Sequence, residues 1–578
     1  MDFPSLLVQR ASHSWGLLIS IVAGASLLLF LLYRWLLPKP IPGIPYNAEA
    51  TKSLLGDIPS MVEYGKETQE VFSWMAKQNI KLNSPIVQVF TRPFSRPSVV
   101  ISDFREAQDI LIRRFKEFDR SKYISEISGG IMPHSHFRFP TGDRFRRQRK
   151  WMQGAMGVEF LHNVAAPHVY NAALDLLRLW ETKASLAAGH PFAAADDLHR
   201  TTMDAVWNIL FGVQAANSVL KAQLRLYEDV KRVELPADRD AVVSLPAVPY
   251  PELTESFLRI IDSVETTIKS PVPVLAHWLL RQTPAMKRAW KHKDHYIEGE
   301  LKKALERAKS RSAKDRDINC AVDDFVRREL LLAEKEKRAP EVLSPSMSDE
   351  VLGFVVGSQD TTATTMSWGI KNLADNPDVQ KRLRAELHAH HSKAVEEKRL
   401  PTPQEITSTP IHYRDAVIEE ILRCSSTESS AIRTALTDVT ILGHFIPKDT
   451  EIFLMGNGAS FYSPEFEISD SLRTQSCLES KDKVGAWSHA DMAKFNPDRW
   501  LTKGVFDQAA GPLLTFGLGE RACYGRKMAY VQLKILVTLV VWSFELHKCP
   551  EKLSGYAASD KVTHVPQQCY ARLSKCSY

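Results

Sequence analysis

The chain has 578 residues, 44% hydrophobic and 25% charged, with 74 basic and 68 acidic residues giving a net charge of +6. That length is ample for a large buried core, and so mild a positive balance makes no case for nucleic acid as a partner. Seven cysteines stand singly at 320, 424, 477, 523, 549, 569 and 576, with no CxxC and no glycosylation sequon anywhere. This argues against a disulfide framework or a zinc site and leans towards a reducing compartment.

In chain order, the first element is WGLLISIVAGASLLLFLLY, Trp15 to Tyr33, 19 residues without a charge. At about 1.5 Å per residue such a helix nearly spans a bilayer core. Trp15, Tyr33 and Trp35 edge it as interfacial aromatics do. The run continues into Arg34-Trp35 rather than a small-residue cleavage site, so a retained anchor is favoured over a signal peptide. Arg34 and Lys39 follow the span and only Arg10 precedes it, which puts the bulk of the chain in the cytosol and residues 1–14 in the lumen. PKPIPGIP (38–45) reads as a stiff extended linker within 34–47, joining the anchor to a single catalytic body from 48 to 578.

The body reads as mainly α with small β-sheets. SPIVQVF (84–90) and RPSVVIS (96–102) are short β-like runs. Amphipathic helices are expected near 168–184 and 255–270. The lysine- and arginine-rich stretch 286–316 and KEKR at 335–338 read as solvated surface. RFRRQRK (144–150) reads on its own as a nuclear signal or a solvated basic face.

The segment from Met347 to Pro377 reads as one buried helix, N-capped by Ser348 and ended by Asn376-Pro377. Its centre carries Ser358, Gln359, Asp360, Thr361 and Thr362, and polar groups in a buried helix must find partners or do work. Back-bonding of hydroxyls to the helix is the bland account, and it suits Thr362, Thr364 and Thr365. A charged helix follows (377–392). Its HAHH, His388 to His391, reads as a solvated face rather than a metal site. Then come a Pro-punctuated turn (401–410), a helix near 411–424 carrying Glu420-x-x-Arg423, strand-like TDVTILG and EIFLMGNG, an irregular stretch at 462–490, and FNPDRW (495–500). A last long helix is expected at about 523–540.

FGLGERACYG (516–525) decides the function. Gly517 to Ala522 fits GxGxxA, but no acidic residue follows at the required distance and the chain ends too soon for a parallel βαβ unit. Cys523 could be a buried small hydrophobe. Its neighbours favour more. Gly517, Gly519 and Gly525 allow close backbone approach, Arg521 offers a guanidinium to a carboxylate, and a helix start favours a thiolate. Together they suit an iron porphyrin with a thiolate ligand.

Every fixed position of Phe-x-x-Gly-x-Arg-x-Cys-x-Gly is present, and the stretch resembles the haem-binding loop of the cytochrome P-450 superfamily. That resemblance implies haem b (iron protoporphyrin IX), with Cys523 as the iron ligand and Phe516, Gly519, Arg521 and Gly525 around it. Glu420, Arg423 and Arg499 resemble the family's interlocking Glu and Arg groups, a structural set. Gly357-Ser358-Gln359-Asp360-Thr361 resembles its oxygen-activation motif, with Asp360 and Thr361 in the catalytic positions and Ser358 where glycine is usual. Phe145 stands in place of a tryptophan and Arg149 in the propionate-binding position of the family's Trp-x-x-x-Arg. Arg433 resembles a second such position.

The family supplies the expected reaction, insertion of one oxygen atom from O2 into a lipophilic small molecule, in a pocket near Phe354, Val355 and the 428–432 turn. Electrons would come from a membrane-bound NADPH-dependent cytochrome P-450 reductase, with cytochrome b5 as an optional second donor. Arg144, Arg146, Arg147 and Lys150 would form the docking face, at the endoplasmic reticulum membrane. The long insertion at 462–490 and the divergent N-terminal half look more like fungal specialised-metabolite enzymes than sterol demethylases. Two other classes are a haem-thiolate isomerase or dehydratase needing no reductase, against which the acid–threonine pair counts, and a non-catalytic haem binder.

Overall fold

The structure, a computed structural model, describes residues 3–213, 218–310 and 318–576. A helix runs from Phe3 to Leu36. Its Leu18–Leu36 portion is long and apolar enough to cross a membrane, and none of it is buried against the body. The tail expected at 1–14 is thus helical from Phe3; residues 1 and 2 lie outside the described residues.

The proline-rich joint is not free. Ile41 and Ile44 are buried, and the Gln88 side-chain amide donates to both their carbonyls at 2.9 and 2.8 Å. Prolines keep this stretch from forming a helix, but its backbone groups are spoken for by a buried glutamine, so it is fastened to the body.

The body is mainly helical with small sheets, as the sequence leads one to expect. The largest sheet orders its strands Ile86–Val89, Ser98–Ile101, Glu451–Met455, Ser430–Ala435 and Phe118–Arg120. The last two are antiparallel, with Arg120 directly opposite Arg433. On the other side lies the helical core. Ala166–Ala187 packs on Ala195–Phe211 and on Arg526–Ser543. Leu176, Leu179, Trp180 and Trp542 are fully buried there. Each such side chain contributes about 1.5–3 kcal/mol relative to exposure.

Several local expectations need correction. The 347–377 helix is two helices, Pro345–Ser358 and Asp360–Asp375, interrupted at Gln359. Its cap is Ser344, not Ser348: the Ser344 hydroxyl accepts from the Met347 amide at 3.2 Å, and Pro345 fills the first turn, where no N–H is needed. The turn at 401–410 holds a short helix, Pro403–Ser408, closed by a capping box between Thr402 and Glu405.

His388 and His391 are not a solvated face. His388 lies edge-on to Trp542 with ring centroids 4.5 Å apart, and His391 is buried, with its pKa driven down to about 4 by that burial. Among the described residues no cluster could hold a metal ion. The basic helix spans Pro284–Ser310, and 311–316 lie outside the described residues. It is solvated on one side only, since Lys293 is buried over the Trp290 ring. Arg338 likewise turns inward, donating to buried Glu329 at 2.9 Å. In each case the long aliphatic stem covers apolar surface while the charged end finds a partner.

Candidate active site

The loop 511–525 leads into the last long helix, which begins at Arg526 after Gly525. Cys523 therefore precedes the helix rather than opening it. Its amide donates to the Phe516 carbonyl at 2.7 Å, and the Gly517 amide to the Leu514 carbonyl at 2.7 Å, folding the loop back on itself. Gly517 and Gly519 have φ of +59° and +73°, the left-handed region that side chains resist. A Cβ on Gly519 would sit 2.0 Å from the Leu111 carbonyl oxygen, so nothing larger fits there. Gly525 has an ordinary φ of −80°, and no backbone constraint requires glycine at it.

Cys523 is open to water, yet protein crowds it so closely that burial raises its thiol pKa, against the Gly525 amide and Arg149, which lower it. Both hold if the sulfur faces an interior cavity. The helix-start argument for a free thiolate is therefore outweighed: burial raises this thiol more than its neighbours lower it, and ligation to a cation would favour the thiolate. Glu428 behaves in the same way. It is open to water between buried Thr427 and Ser429, and burial pushes its carboxyl up to about 7, Arg120 opposing. Gly357 is exposed although Val351 to Val355 of the same helix are buried.

A cluster of guanidinium groups lies beside this loop. Arg120 and Arg433 face each other across the sheet, an arrangement of like charges that costs free energy. Arg433 is pushed down to about 10 by burial and then by Arg521. Arg120 falls to about 9 by burial and by Arg521 and Arg433. Among the described residues the one carboxylate ion-paired within the cluster is Asp119, 3.1 Å from Arg521 Nε, with Glu428 acting on Arg120 without an ion pair. Arg521 also donates to the Thr141 hydroxyl at 2.7 Å and the Phe139 carbonyl at 2.6 Å. Three cations with one paired anion is a donor set short of negative charge. It fits a ligand that brings carboxylates, and a haem does.

Arg149 is placed differently from Arg433. It lies over the Tyr524 ring at 4.1 Å and the Phe145 ring at 5.1 Å, and donates to the Glu520 carbonyl. Phe145 also receives Arg521 on its ring at 4.2 Å. Without an indole N–H, Phe145 serves two guanidinium groups through its ring face. Phe516 packs near Tyr530, ring centroids 5.5 Å apart. Among the basic residues of the helix Asp143–Trp151, Arg144, Arg146 and Lys150 are exposed, and Arg146 pairs with Glu520 of the cysteine loop at 2.8 Å.

Glu420 ties its helix, His412–Ser425, to residues 496–500. Its carboxylate accepts from Arg423 at 2.7 and 2.8 Å, Arg499 at 3.1 Å, the Trp500 indole at 2.9 Å and the Asn496 amide at 2.8 Å. Arg423 extends the set to the carbonyls of Phe461 and Met492. This is the interlocked Glu–Arg–Arg set expected from EEILR and FNPDRW.

Asp360 and Thr361 lie at the helix interruption and point apart. The Thr361 hydroxyl donates to the Gly357 carbonyl at 2.9 Å, and Thr365 back-bonds to Thr361 at 2.9 Å. Thr364 instead meets the Thr563 hydroxyl. Asp360 accepts from that same Thr563 hydroxyl at 2.6 Å and lies 3.7 Å from His199 Nδ1. It lines a cavity of about 490 Å³ together with His199, Asp262, Gln359 and Lys561. Phe354 and Val355, expected at the pocket, are core residues, and Phe354 packs against Phe325.

Sequence reasoning missed Arg120, Glu428, His199 and Thr563. Arg120 could be found only through its register with Arg433, 313 positions away.

Comparison with known proteins settles the family. The cytochrome P450 family model matches residues 53–460 and 486–556. The chain belongs to the cytochrome P450 family. It is 38% identical, over 95% of its length and 98% of the relative's, to the cytochrome P450 monooxygenase TRI13 of Fusarium sporotrichioides. It is 39% identical, over 96% and 98%, to the cytochrome P450 monooxygenase GME11363 of Pestalotiopsis microspora. The cytochrome P450 monooxygenase xilC of Penicillium rubens is 32% identical over 98% of both chains. Membership in this P450 family implies a haem-thiolate cofactor, a redox partner and a lipophilic substrate.

Proposed function

We propose that this cytochrome P450 monooxygenase binds haem b through Cys523 and oxidises a lipophilic small molecule of fungal specialised metabolism. The supporting observation is the joint placement of a water-open, protein-surrounded Cys523 and the anion-deficient Arg120–Arg433–Arg521 cluster. Arg433 and Arg120 would receive carboxylates, with Arg521 held by Asp119 and Arg149 steadying the loop through Glu520 and Tyr524. When bound, the haem supplies reductive activation of dioxygen. Thr361 spends its one proton on Gly357, so its oxygen lone pairs stay available to a donor above the helix. Asp360, reached by water through its cavity, would resupply protons with His199 and Thr563 at its side.

Glu428 marks the substrate. It makes no hydrogen bond or ion pair among the described residues, and the Thr427 hydroxyl beside it meets Thr365 at 2.9 Å, one turn beyond Thr361. An unpaired interior carboxyl favours a substrate that carries a hydroxyl or amine on an otherwise apolar frame. The exposed Arg144, Arg146 and Lys150 suit an acidic NADPH-dependent reductase, or cytochrome b5, by charge complementarity. The N-terminal helix would hold residues 48–578 on the cytosolic side of the endoplasmic reticulum membrane, with 34–47 as the joint.

The test is the carbon monoxide difference spectrum of the dithionite-reduced protein beside Cys523→His. A strongly red-shifted Soret band, present in wild type and absent in the variant, is the expected result. Folded wild-type protein without that band would overturn the assignment.

A further inference from the structure

The family model leaves residues 461–485 unmatched, within the stretch that reads as polar and irregular in the sequence. In the structure it is ordered into short helical turns at Asp470–Leu472, Gln475–Leu478 and Lys481–Lys483. Side chains from it enter the body. Arg473 has a side-chain exposure of 4% and donates to both oxygens of buried Asp103 at 2.8 and 3.0 Å. Asp103 in turn caps the helix Phe104–Gln108, accepting from the Glu106 amide at 2.8 Å. The hydroxyls of Thr474 and Ser476 donate to the two oxygens of Asp109, each at 2.7 Å. Asp109 opens the wide helical turn Asp109–Arg113.

That turn is the support on which the cysteine loop rests. The Leu111 carbonyl lies against Gly519, at the point where a Cβ would be 2.0 Å away. Apolar contacts run the same way. Ile468 and Val484 of the unmatched segment pack on the cluster that contains Ile110, Leu111 and Leu514, as does Leu518 of the loop. A desolvated charge pair with a fixed geometry contributes register more than stability, and register is what a carbonyl packed against a glycine needs.

We propose that segment 461–485 is a brace for the Cys523 loop, in which Arg473, Thr474 and Ser476 are positioning residues. They fix the unit 103–113, and its Leu111 carbonyl seats Gly519 and sets the height of the loop that carries Cys523. The ligand role of Cys523 rests on the reading above; the mechanical coupling does not.

The experiment uses full-length protein in three forms: Arg473→Met, the pair Thr474→Val with Ser476→Ala, and Lys481→Ala as a control at the exposed rim of the same segment. Hydrogen exchange is read at the loop amides of Gly517, Ala522 and Cys523. The reduced carbon monoxide spectrum is read as the fraction retaining the thiolate-type band. The brace predicts about tenfold faster exchange at those amides in either clamp variant. It also predicts partial conversion of the thiolate-type band to a shorter-wavelength one, with Lys481→Ala matching wild type. Should Arg473→Met not fold, the hydroxyl pair, which removes no charge, decides alone. Loop exchange and band both unchanged in a folded clamp variant would overturn the brace. A wild type without the thiolate-type band would instead overturn the role of Cys523, with the exchange arm still deciding the brace.

Discussion

Glu420 and Asp360 are both carboxylates on helices of the core, and they are held in opposite ways. Glu420 has no exposure and is saturated by Arg423, Arg499, Trp500 and the Asn496 amide. Asp360 takes one hydroxyl, from Thr563, stands off His199 at 3.7 Å and opens into a cavity. The first arrangement leaves no lone pair for chemistry and ties the segment 496–500 to the helix that carries Glu420. The second keeps a carboxylate within reach of water at the one place where the helix is interrupted. Saturation marks scaffold, and incomplete saturation marks work.

The comparison breaks most visibly at Glu420. Replacing it with alanine leaves Arg423 buried without its counter-charge and Arg499 with Asp491 alone, a cost of about 3–5 kcal/mol. We expect loss of most folded protein, read by thermal unfolding and by the yield of soluble chain. Asp360→Asn sharpens the contrast. It keeps the shape and an acceptor oxygen, so the midpoint of unfolding should stay where it is while turnover falls roughly a hundredfold. If Asp360→Asn unfolded the protein as Glu420→Ala does, the distinction between the two carboxylates would collapse.

A smaller effect is expected at Glu106, beneath the cysteine loop. Its carboxyl is pushed up to about 7, by burial first and then by Asp103, with Arg114 opposing. The folded state therefore holds this proton more tightly than the unfolded chain, which releases it near 4.5. The stabilisation is complete below about pH 4.5 and is lost as pH rises through about 7. Relative to Glu106→Gln, which cannot titrate, wild type should lose about 1–3 kcal/mol across that window. A flat difference in denaturant unfolding across it would remove the claim.

Much of the site was legible. FGLGERACYG, EEILR and FNPDRW are short, so each motif is readable within a few residues of chain; the spacing of Glu420 and Arg423 predicts their pairing, and the structure adds Arg499 as the family resemblance implies. Where reading failed, a distant partner had decided the matter. HAHH looks solvated because its helix is charged, but Trp542 covers His388. The run 347–377 looks continuous because its apolar pattern is, but Thr361 takes the Gly357 carbonyl and the helix breaks at Gln359. The stretch 462–490 looks structureless because it is polar, yet three of its side chains, Arg473, Thr474 and Ser476, bond to the buried carboxylates of Asp103 and Asp109.

The sequence by itself determined the family, the cysteine at its centre and the apolar N-terminal helix, because local composition and tight loop chemistry are written in consecutive residues. Tertiary structure alone decided that Arg120 faces Arg433, that Glu428 stands exposed between buried Thr427 and Ser429, and that Arg473, Thr474 and Ser476 bond to the carboxylates flanking the turn beneath Gly519. Each of these depends on register or burial between segments far apart in the chain. The charge balance of a site is settled only when the fold chooses which groups leave water together.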